Sequence, residues 1–103
     1  DPKGWYIAAA AALAHFVGEQ FEDAVCSAKK ALAQNPSFAP SMRVLAAGLA
    51  RLGRFEEAKQ VMKDLLRQEP HLTIATLRAR LAHMDETALI KFLEALRMAG
   101  LPA

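Results

Sequence analysis

Apolar residues recur at spacings of three and four along most of the chain, and two such runs meet at Leu52-Gly53-Arg54-Phe55-Glu56-Glu57-Ala58. Before this stretch Met42, Leu45, Ala46 and Leu49 share one face. After it Phe55, Ala58, Val61, Met62, Leu65 and Leu66 do the same. A helical period on both sides of a glycine predicts two amphipathic helices joined by a tight turn. The pattern has an upstream echo in Phe21-Glu22-Asp23-Ala24, and strand-type alternation is nearly absent.

The echo is periodic. Residues 3–36 and 37–70 are identical at Ala12/Ala46, Phe21/Phe55, Glu22/Glu56, Ala24/Ala58, Lys29/Lys63, Leu32/Leu66, Gln34/Gln68 and Pro36/Pro70. Pro2, Pro36 and Pro70 fall on the same 34-residue step. A repeat of this length marks a stack of supersecondary units, each burying its apolar face against the next.

Taken in order, the pattern predicts six helices. The first runs from Gly4 to Val17 and is apolar on every face, the composition of a helix normally buried on all sides, although only one neighbouring layer in the chain is left to cover it. Gly18 breaks it. The second runs from Phe21 to Gln34, with Ala24, Val25, Ala28, Ala31 and Leu32 as its buried stripe, and Asn35-Pro36 stops it. The third starts at Ser37 or Phe38, holds Pro40 in its first turn, and ends near Arg51, where Gly53 permits the turn. The fourth runs from Phe55 to Arg67. The fifth is expected from His71 to Ala82. The sixth, from Glu86 to Met98, has Asp85 as its N-cap and Gly100-Leu101-Pro102 as its stop. Asp1-Pro2 reads as the close of a preceding repeat, so the chain is expected to be a piece of a longer array.

Composition narrows the function. The chain has 103 residues, enough for one compact unit, and 53% are hydrophobic. Its 13 basic and 11 acidic residues are interspersed, and a net charge of +2 gives no footprint for nucleic acid. The longest apolar run, Tyr6–Ala14, is too short to span a bilayer. The single Cys26 has no partner for an internal disulfide and no histidine placed to activate it. His15, His71 and His83 share no ligand spacing, so no metal or other cofactor is expected. His15 and His83 sit at equivalent repeat positions and read as packing residues. Glu22-Asp23 and Glu56-Glu57 lie in first turns, where the helix dipole stabilises them, and carry no catalytic reading.

These residues resemble the tetratricopeptide repeat family. Its pattern is met by Met42, Leu45, Ala46 and Leu49, then Ala58, Met62, Leu65 and Pro70. The preceding unit supplies Ala8, Ala11, Ala12 and His15, then Ala24, Ala28, Ala31 and Pro36, with several large positions reduced to alanine. The resemblance implies an all-α, TPR-like α-solenoid of three antiparallel helix pairs in a right-handed superhelix. Residues 1–103 then form one domain with repeats over 3–36, 37–70 and 71–103, the last modified as a cap. Leu77-Arg78-Ala79-Arg80-Leu81 and the segment from Asp85 to Pro102 resemble the closing segment of repeat regions in bacterial adenylate/guanylate cyclases. That implies a cytoplasmic signalling protein with a catalytic domain upstream. No cyclase catalytic residue maps onto this chain, which is not expected to be an enzyme.

In that family the first helix of each pair lines a concave face. By that correspondence Tyr6, Ala9, Leu13 and Phe16, then Arg43, Ala47 and Arg51, then Leu77 and Leu81 face the groove. The implied partner is a protein or peptide segment. Leu13 and Phe16 would take its apolar anchor, and Arg43 and Arg51 an acidic group beside it. The family's clamp for chaperone C-terminal carboxylates needs lysine and asparagine where this chain has Ala9 and Leu13, so that function is not expected. A second expectation is that the helix Trp5–Val17, lacking a preceding repeat, serves as an oligomerisation or spacer surface.

Overall fold

Three-residue turns leave consecutive helices little choice but to run antiparallel, and the first four helices are built on two such turns. The computed structural model describes residues 4–103; Asp1 and Pro2, the expected close of a preceding repeat, lie outside them. The helices are α1 (Gly4–Val17), α2 (Phe21–Gln34), α3 (Ala39–Arg51), α4 (Phe55–Gln68), α5 (Ile74–Arg80) and α6 (Glu86–Ala99). No strand occurs among the described residues.

The two turns are copies of each other at the level of single hydrogen bonds. In the first, the amides of Gly18, Glu19 and Gln20 donate to the carbonyls of Ala14, Phe16 and His15. In the second, Leu52, Gly53 and Arg54 donate to Gly48, Ala50 and Leu49, each displaced by one repeat. The left-handed position is Gly53 in the second turn (φ 79°) and Glu19 in the first (φ 61°). Glu19, rather than its neighbour Gly18, therefore holds the glycine's place, in a region that costs a residue with a Cβ.

Helix α3 is the axis of the core. Every residue from Ser41 to Ala50 is buried, because α1, α2, α4 and α6 all pack against it. Gly48 lets α2 and α3 approach closely: a Cβ there would stand 2.9 Å from Val25 Cγ2. The expected stripe on α2 is present, with Ala24, Val25, Ala28 and Ala31 buried and Leu32 packed at the margin.

One expectation changes. The fifth helix does not run from His71 to Ala82; it occupies only Ile74–Arg80. Thr73 caps it by accepting from the amide of Thr76, and Thr76 Oγ1 accepts from the amide of Thr73. This reciprocal box fixes the start three residues late, while Leu72 is buried outside the helix. The first helix is covered on one flank only, as expected of a helix with a single neighbouring layer: Ala12 and Phe16 are buried, and Tyr6, Ile7, Leu13 and Val17 are exposed.

The last pair is also placed differently from a stacked repeat. Helix α5 packs against α6 and not against α3 or α4. Helix α6 crosses instead onto α3, with smaller contacts to α4 and α1. Its stop is as expected: Gly100 is left-handed (φ 114°), and the Leu101 amide donates to the Leu96 carbonyl. The buried Leu101 and the Ile74 amide, which donates to the Pro102 carbonyl, tie the tail to the start of α5. The radius of gyration is 12.3 Å, that of a rounded domain of this length (about 13 Å for 100 residues).

Candidate partner-binding groove

The first helices of the two regular pairs, α1 and α3, lie side by side, and α6 lies over one end of the face they share. Phe92 of α6 meets Phe16 of α1 edge to face, with ring centroids 5.2 Å apart. Lys91 Nζ reaches Glu19 Oε1 at 2.7 Å in the turn after α1. The hydrogen bond from Lys91 holds the Glu19 carboxyl below its ordinary pKa, and the lysine's charge adds to the effect. Phe16 and Ala47, expected on an open groove, are both buried in the core.

The other end of the face stays open. There Tyr6, Leu13, Phe38, Arg43, Met84 and Phe92 are among the residues lining an apolar cavity of about 190 Å³. Trp5 stacks edge to face on Phe38, with centroids 4.8 Å apart, and so sits at the cavity's shoulder. Arg43 is the sole charged side chain among the lining residues. Only 8% of it is exposed, and it makes no hydrogen bond or ion pair to another described residue. Burial pushes its guanidinium pKa down; nearby Glu69 opposes that shift and Arg80 reinforces it. Glu69 is committed elsewhere, since its Oε1 accepts from Arg80 Nη1 at 2.9 Å. Its Oε2 is buried without a partner.

The expected groove residues thus separate by environment. Tyr6, Ala9, Leu13, Arg43 and Leu81 meet at the open cavity. Phe16 lies under Phe92 of α6, and Ala47 is wholly buried. Arg51 is exposed at the far edge, its guanidinium 4.8 Å over the Phe21 ring. Leu77 is wholly buried and cannot reach a partner, because α5 presents that face to α6. Reasoning from the sequence missed Phe38, Val44, Met84 and Phe92 as lining residues. Phe38 and Met84 carry a signal only in hindsight of the fold: each is a large apolar residue at a helix margin, where solvent would otherwise be expected.

A sequence profile described as Tetratricopeptide repeat matches residues 18–81. That is more than half of the chain. The chain belongs to the tetratricopeptide repeat family. The match opens at the turn before α2 and closes just after α5, so it leaves out the two helices that depart most from the repeat, the all-apolar α1 and the crossing α6. No curated protein and no solved structure matches the chain. His83 is exposed rather than packed, and His15 Nδ1 lies 2.9 Å from Gln20 Oε1 within its own turn. Among the described residues, no group of three or more His, Cys, Asp or Glu is placed to hold a metal ion, and no helix is long and apolar enough to cross a membrane.

Proposed function

We propose that this tetratricopeptide repeat is a non-catalytic protein–protein interaction module, and that a partner segment seats on the part of the concave face left open by α6. The carrying observation is the apolar cavity where α1, α3 and α6 meet, with Tyr6 and Leu13 on its rim and Arg43 in its wall. A concave, mostly apolar site with one convergent polar group is the form a binding site takes. Magnitudes argue that α6 is a fixed wall rather than a removable lid. Its Leu89, Phe92, Leu93 and Leu96 are all buried, worth about 6–12 kcal/mol by side-chain transfer. A micromolar partner offers about 8 kcal/mol and would have to replace all of that before gaining anything.

The closing segment's resemblance to bacterial adenylate/guanylate cyclase repeats supports a regulatory place in a cytoplasmic signalling protein. A photo-crosslinking residue at Leu13, with a control at Lys63 on the exposed side of α4, tests the groove in a host extract. The proposal expects a discrete crosslinked partner from position 13 alone. Equal products from both positions contradict it.

One observation favours a second reading, an oligomerisation or spacer role for α1. Ile7 is 66% and Val17 49% exposed, on a face with no charge. Under that reading sedimentation shows a mass that rises with concentration and falls back to one chain in Ile7→Lys.

A further inference from the structure

Arg43 is the one charged side chain among the residues that line the cavity. A guanidinium carries five donors and stays charged at neutral pH. Withdrawing it from water without a hydrogen-bonded partner is costly. Here it is nine-tenths buried, lines an apolar cavity, and bonds to no other described residue. The charges facing it are Glu69, at the end of α4, and Arg80, at the end of α5. Those two are paired with each other, so the local sum over Arg43, Arg80 and Glu69 is +1. The wall of the cavity therefore carries one net positive charge.

We propose that the cavity recognises an acidic residue beside an apolar one on a partner segment: the apolar side chain fills the space between Leu13 and Phe38, and the carboxylate takes two hydrogen bonds from Arg43. This rests on the reading of the open groove as the partner site and names the chemistry that the site selects. The guanidinium fork matches a carboxylate in a way that an ammonium does not. Glu69 plays the opposite part. Its charge already partly satisfies Arg43 through space, so it weakens any incoming acid.

The native probe is Trp5, the only tryptophan, held against Phe38 on the cavity's shoulder. Its fluorescence is titrated with two short peptides, acetylated and amidated, that differ only in carrying Phe-Glu or Phe-Gln. The Glu peptide is expected to bind roughly tenfold more tightly, about 1.4 kcal/mol. In Arg43→Met that difference disappears. Arg43→Lys keeps the fold and most of the charge but loses most of the preference, and Glu69→Gln tightens the Glu peptide further.

Equal binding of the two peptides, both displaced from a crosslinker at Leu13, overturns the acid preference and leaves the groove standing. No binding of either peptide at millimolar concentration overturns both. A Trp5 signal that changes with protein concentration alone overturns the proposal, since a second copy would then be the occupant.

Discussion

At the scale of single residues, Glu19 and Gly53 occupy the same place in successive turns and resolve the same backbone demand differently. Gly53 meets the left-handed conformation without strain. Glu19 accepts the strain and projects a carboxylate onto Lys91 of α6. Glu19→Gly is therefore expected to raise the melting temperature, because relief of the backbone outweighs an exposed ion pair of small worth. Its pH dependence follows from the depressed folded pKa. The pair's contribution is present in full above the ordinary glutamate value of 4.5 and is lost as pH falls through the lower folded value. Thermal melts of wild type and Glu19→Gln should differ at neutral pH and converge in acid; curves that stay equally separated at every pH would contradict the assignment.

At the scale of helices, the closest approach is that of α2 and α3 at Gly48. Val25 Cγ2 lies 2.9 Å from where a Cβ would stand, and a buried β-branched side chain cannot swing away cheaply. Gly48→Ala should thus lose about 1–3 kcal/mol through overpacking, offset by about 1 kcal/mol of helix propensity. A net loss in denaturant melts is expected, and it should shrink when Val25→Ala is added. Helices α1 to α4 and α6 were legible in the chain to within a residue or two because the proline ladder and the 3.6-residue period agree there. The fifth was not. Leu72 and Ile74 fit an apolar helix, yet the hydroxyls of Thr73 and Thr76 cap one another and move its start. A sequence that reads threonine at the third helical position gives little warning of this, since glutamate or glutamine is the usual partner in such a box.

At the scale of the molecule, the concave face was legible as a set of residues and not as a surface. Tyr6, Leu13 and Arg43, which the repeat period sets on one side, line a single cavity. What lies over that side depends on where α6 docks, and an amphipathic stripe says how much must be buried, not against which neighbour. Leu89, Phe92, Leu93 and Leu96 would bury equally well against α5 alone in a stacked third repeat. In the fold α6 packs mainly on α3, so the last hairpin covers one end of the face and leaves a short cavity in place of a long channel. Under the proposed reading, that leaves room for one or two anchor side chains and not for an extended segment spanning three repeats.

The account turns on that placement of α6, and a nuclear Overhauser experiment on the selectively labelled chain tests it most directly. With ring centroids 5.2 Å apart, Phe16 and Phe92 should show strong ring-to-ring cross-peaks, accompanied by contacts from α6 methyls to α3. Absence of the Phe16–Phe92 cross-peaks, with contacts from α5 to α3 and α4 in their place, would mean a regular third repeat, an open groove along its whole length, and no Arg43 cavity of the kind described.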